Sequence, residues 1–150
     1  MASLETKTQD TVGQLNSLLR GEISAAETFR QAIEKVSDDH AGEAALLREI
    51  AQEHGEAAQS LRSHIRRLGG EPEDSSGAWG AYAKTVEGVA KLFGDASALK
   101  ALKEGEEHGL KDYQDALEEV DGPARELISG TLIPAQRRHI AKLDGMIARL

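Results

Sequence analysis

The stretch LLRGEISAAETFRQAIEKV, from Leu18 to Val36, decides the fold. Apolar residues recur three and four positions apart at Leu18/Leu19, Ala25/Ala26, Phe29, Ala32/Ile33 and Val36, which is the spacing of one face of an α-helix. Glu22 interrupts that face. A lone carboxylate buried among leucines is costly, so Glu22 needs a partner. A similar pattern returns as LKEGEEHGLKDYQDALEEV, from Leu102 to Val120, at a shift of 84 positions. Leu18 falls over Leu102, Gly21 over Gly105, Glu22 over Glu106, Phe29 over Tyr113, Ala32 over Ala116 and Val36 over Val120. One further position of shift brings His54 over His139. The chain therefore reads as two helical hairpins related by duplication.

Working outward, the first helix runs from about Leu4 to Val36 and ends at the capping-rich break SDD, 37–39. The second reaches about Leu68, with Leu47, Ile50, His54, Ala57/Ala58, Leu61 and Ile65 on one face. GGEPEDSSG, 69–77, is a loop. A shorter helix is expected over 78–93, with Trp79, Tyr82, Val86, Val89 and Phe93 as its apolar face. It would seal onto the bundle or form a homo-oligomer contact. The third long helix spans about Ala96–Val120. After the turn DGP, 121–123, the fourth carries Leu127/Ile128, Leu132, Gln136, His139/Ile140, Leu143 and Met146/Ile147. Pro134 lies inside it and predicts a kink or local break near Gly130.

Composition agrees with an all-α fold. Ala, Leu, Glu, Lys and Arg dominate, while aromatic residues make up 3% of the 150 residues, and these are helix formers with little that favours a sheet. Short turns make each hairpin antiparallel. The connection between the hairpins, about 69–95, is long enough to cross the length of a bundle. The expectation is one domain over 1–150: hairpins at about 4–68 and 96–150, and a crossover containing a short helix.

A net charge of −8 speaks against nucleic acid or an anionic membrane as the main partner. The absence of cysteine excludes disulfides and thiolate metal sites. The polar start MASLETKTQD and the lack of a long apolar run point to a cytoplasmic protein.

Each long helix carries the same anomaly on its apolar face: Glu22, His54, Glu106, and His139 with Gln136 three residues before it. Glu22 and His54 lie about 16 residues from the first hairpin tip, and Glu106 and His139 about 16 from the second. At the helical rise, that is roughly 24 Å from either tip. All four would meet in one mid-bundle layer. Glutamate and histidine together suit a divalent metal ion such as iron, zinc or manganese. The alternative is a buried polar layer that binds no metal and only specifies the fold of a structural or interaction bundle. Glu53 and Glu107 adjoin the layer and could in part stand in for further carboxylates, but their helical angle points them away.

These residues resemble the ferritin-like superfamily, which places Glu on the first and third helices and Glu-x-x-His on the second and fourth. LNSLLRGEISAAETFRQAIEKV, EHGEAAQSLRSHIRRLGGEPEDSSGAWG and LIPAQRRHIAKLD look closer still to a bacterial branch of it, domain of unknown function 2383. The resemblance implies a ferritin-like four-helix bundle and, for any activity, an iron-dependent oxidase, while the Glu/His layer itself suggests a role in metal homeostasis or stress. The chain departs from the di-iron pattern where Ala51 and Gln136 replace the bridging carboxylates. With only two carboxylates predicted in the layer, one divalent ion fits better than two.

Overall fold

Long runs of strong helix formers with an apolar face bury that face by packing against one another, and the chain does so here. In the computed structural model, residues 4–34, 36, 40–75 and 97–150 are described. Helix α1 spans Leu4–Glu34, α2 Ala41–Arg67, α3 Ser97–Ala116, α4 Gly122–Leu127 and α5 Ile133–Ala148, with a π-helical turn at Ile128–Leu132 between the last two. No strand occurs among the described residues. The expected short helix over 78–93, its residues Trp79, Tyr82 and Phe93, the oligomer contact assigned to it, and the break at 37–39 lie outside the described residues.

The helix ends follow the local sequence. Gly69 takes φ +81° after α2, a conformation open to glycine at little cost. Its N–H donates to the Arg66 carbonyl at 3.0 Å, and that of Gly70 to the Ile65 carbonyl at 2.9 Å. This pair of bonds is a Schellman closure. The chain then lies back along α1: Asn16 Nδ2 donates to the Glu71 carbonyl at 3.0 Å, Asn16 Oδ1 accepts from the Glu73 N–H at 2.8 Å, and Arg20 pairs with Glu73 at 3.2 Å.

The kink or local break expected near Gly130 takes the form of a π turn, which interrupts the α-helical pattern without stopping the helix. Backbone angles stay helical from Leu127 through Ile133, so α4, the π turn and α5 run on continuously. Proline lacks an N–H and crowds the carbonyl four residues back, here that of Gly130. One wider turn accommodates it.

The core has two parts. One cluster holds Leu15, Leu19 and Ile23 of α1, Ala58, Leu61 and Ile65 of α2, Tyr113 and Ala116 of α3, and Ala124, Ile128 and Ile133. The other holds Phe29 and Ala32 of α1, Leu47, Ile50 and Ala51 of α2, Leu99 and Leu102 of α3, and Leu143 and Met146 of α5. Between them in sequence stand the buried polar residues His54 on α2, Glu106 on α3, and Gln136 and His139 on α5, while buried Glu22 on α1 comes just before Ile23 at the edge of the first cluster.

Candidate metal centre

The helices bring all five expected polar residues together, each at most 5% exposed. His54 is the hub. Its Nδ1 lies 2.5 Å from Glu22 Oε2 and its Nε2 lies 2.5 Å from Glu106 Oε1. Phe29 stacks on the imidazole with ring centres 5.6 Å apart. Tyr113 donates its hydroxyl to Glu22 Oε1, so the residue opposite Phe29 in the repeat does more than fill the core. Gln136 donates from Nε2 to Glu106 Oε2 and, at 2.9 Å, to the Glu106 carbonyl. Its reach depends on Gly109, where a Cβ would stand 2.7 Å from Gln136 Nε2.

His139 completes the group. Its ring meets that of His54 edge-on, with centres 4.7 Å apart. Nε2 is 3.0 Å from Glu53 Oε2, and the other oxygen of Glu53 accepts from Arg138 at 3.1 Å. Nδ1 is buried, has no hydrogen-bond partner, and faces Glu106 Oε2 at 3.6 Å. That separation is too long for a hydrogen bond.

Glu53 corrects the sequence reading, which turned it away from the layer. It sits at the seam between α2 and α5, and its long side chain crosses that seam. A charge register marked this in the sequence: Glu49 pairs with Lys142 at 3.0 Å and Glu53 with Arg138 at 3.1 Å, successive rungs between antiparallel helices. Glu107 does point away; it is half exposed and lies 3.5 Å from Lys103. The remaining histidines lie outside the group: His40 is 3.9 Å from Glu43, His64 Nδ1 is 3.0 Å from the Ser60 carbonyl and His108 is 3.5 Å from Asp112.

Electrostatics follow from this packing. Burial alone would lower the His54 pKa, but the charges and hydrogen bonds of Glu22 and Glu106 overcome it and raise it to about 10. Burial raises the pKa of Glu106, yet His54 and His139 hold it down at about 2. Burial also opposes the charge of Glu53, and Arg138 and His139 outweigh it, lowering its pKa. The Tyr113 phenol is pushed well up by burial and by the Glu22 carboxylate beside it.

The donor set fits a divalent ion. One ligand atom each from His54, Glu106 and His139 lies within 4.8 Å of the other two. Metal–nitrogen and metal–oxygen bonds of about 2.0–2.2 Å span nearly that distance. The second nitrogen of each histidine faces a carboxylate, Glu22 for His54 and Glu53 for His139. Such outer carboxylates fix the tautomer and orientation of metal-binding imidazoles. The unpaired His139 Nδ1 is the atom this arrangement leaves for a ligand. Glu22 therefore stands behind His54 rather than beside the other ligand atoms, and Gln136 behind Glu106.

A cavity of about 60 Å³ between α1 and α3 reaches Glu22, His54, Glu106 and Tyr113. Small residues on both walls, Gly21, Ala25, Gly105 and Gly109, create it.

No curated protein and no solved structure matches the chain. One family does, over residues 10–119. That span takes in Glu22, His54, Glu53, Glu106 and Tyr113, and ends before Gln136 and His139. Because the match covers most of its length, the chain belongs to the family described as Domain of unknown function (DUF2383).

Proposed function

We propose that this protein is a ferritin-like metal-binding bundle that holds one divalent ion, iron or alternatively zinc or manganese, between His54, Glu106 and His139. The observation that carries the reading is the buried, unpaired Nδ1 of His139, opposed by Glu106 and backed on its other nitrogen by Glu53. The shared clusters support the ferritin-like arrangement: the C-terminal halves of α2 and α3 pack in the same half-core, so the two helices run the same way, as a long crossover requires. Two histidines and one carboxylate are the donors of mononuclear iron and zinc sites that keep positions open. Bound iron would supply redox chemistry toward small oxidants. The chain's own residues orient the donors: Glu22 accepts from His54, Tyr113 donates to Glu22, Glu53 accepts from His139 and Gln136 donates to Glu106. With such a centre, the protein would serve metal homeostasis or stress response, in a bacterial cytoplasm on this proposal.

A second reading has its own support. His54 between two carboxylates at 2.5 Å each makes a satisfied imidazolium layer with no metal. Metal content separates the two. Untagged protein, stripped with chelator and reconstituted with iron(II), zinc or manganese, is expected to hold one ion per chain. The His54→Ala/His139→Ala variant is expected to hold none. If no metal reaches one per chain, or the double variant binds as well, the metal reading falls. Two ions per chain would overturn the mononuclear assignment.

A further inference from the structure

We propose that the cleft between α1 and α3 is the path by which the divalent cation reaches the His54–Glu106–His139 group. The inference rests on the metal reading above. Three observations carry it. The cavity there holds about 60 Å³, and a water needs about 10–15 Å³ on that measure, so there is room for a cation with part of its water shell. Its inner end is Glu22, Glu106 and the Tyr113 hydroxyl, and Asp112 lines it too, beside His108. Carboxylates along the way draw a cation inward and turn anions back. The seams that α5 makes with α2 and α3 are different. There Arg138, Lys142 and Lys103 are tied to Glu53, Glu49 and Asp144, so basic groups and closed ion pairs stand in front of the centre.

Among the described residues, small side chains at Gly21, Ala25, Gly105 and Gly109 leave the space of the cleft. At Gly21 a Cβ would meet nothing within 4 Å. Gly21 lies inside α1, so a larger residue there gains helix propensity and enters empty space.

The test uses cobalt(II) as the probe, with its uptake by the chelator-stripped protein followed by stopped-flow visible absorption. Gly21→Leu is expected to slow uptake at least tenfold. Stoichiometry and equilibrium affinity should stay within about twofold of the parent. Gly21→Ala is expected to slow uptake less, giving a graded series with side-chain size. Lys142→Glu, which adds an acid on the α2–α5 face, is expected to leave the rate within twofold. Uptake by Gly21→Leu at the parent rate overturns the path while leaving the metal site standing. Acceleration by Lys142→Glu would move the path to the other face. A parent chain that takes up no cobalt at equilibrium overturns the metal reading itself, and the path with it.

Discussion

His54 shows what one residue commits the molecule to. Without metal, it is held as an imidazolium by Glu22 and Glu106, with its pKa raised from 6.5 to about 10. A group bound more tightly to its proton in the folded state stabilises that state below its unfolded pKa. The contribution is whole below pH 6.5 and is lost as pH rises through about 10. Glu106, lowered from 4.5 to about 2, works the other way: its contribution is present above pH 4.5 and is lost as pH falls through about 2. Urea midpoints of chelator-treated protein are expected to fall by a few kcal/mol equivalent between pH 6.5 and 10. His54→Leu should flatten that limb and cost about 3–5 kcal/mol at pH 6, because it strands two buried carboxylates. A parent midpoint that stays level to pH 10 would refute the imidazolium.

Metal binding needs the same imidazole deprotonated, so uptake near neutral pH is expected to release about one proton per ion. Calorimetry in buffers of different ionisation enthalpy would read that number directly. Glu53 is legible only once the neighbouring helix is known, because its angle on α2 taken alone points outward. Since it is partly exposed, Glu53→Gln should leave stability nearly unchanged and weaken metal affinity about 10–100-fold. Equal affinity in that variant would show that His139 needs no carboxylate behind it.

At the scale of the element, the fourth helix is where sequence reasoning stops short. The repeat aligned the first and third helices at a shift of 84 but the two histidines at 85, so one extra residue had to be taken up between Val120 and His139. Pro134 marked the place and left the form open. The π turn at Ile128–Leu132 is that form: it takes in one more residue per turn than an α-helix while the hydrogen-bonded path continues. Its effect is phase. Upstream, Ala124 and Ile128 face one half-core, while Gln136, His139, Leu143 and Met146 beyond it face inward as well. Deleting exposed Thr131 would restore α-helix and turn the following residues by about 100°. The shortened chain is expected to lose metal binding and several kcal/mol of stability, measured by metal content and thermal unfolding. Retention of both would mean that the turn sets no register. Helix boundaries, in contrast, were legible to within a few residues, because apolar periodicity and the Gly69–Gly70 stop both mark them.

Across the whole molecule, the all-α class was legible because the repeat and the helical periodicity agree along most of the chain. The bringing together of Glu22, His54, Glu106 and His139 was legible because antiparallel hairpins fix height along the bundle. Which carboxylate backs which histidine was not, since that depends on side-chain reach across helix seams. An ion bound only by the folded state adds stability by mass action, about 2.7 kcal/mol at one hundred times its dissociation constant. Thermal midpoints are thus expected to rise with zinc or iron(II) in the parent and to stay fixed in the His54→Ala/His139→Ala variant.

The polar layer also acts as a seam. Leu19 and Leu61 belong to one apolar cluster, Leu47 and Leu99 to the other, and few contacts of oil with oil bridge the imidazoles and carboxylates between them. Substitutions without shared partners have additive effects. Leu19→Ala and Leu47→Ala should therefore sum to within about 0.5 kcal/mol, whereas Leu19→Ala and Leu61→Ala should not. Away from the layer, each half of the protein is then free to drift in sequence at its own pace, whereas the five polar residues and the side chains that touch them, Tyr113, Phe29 and Glu53, are bound to change together.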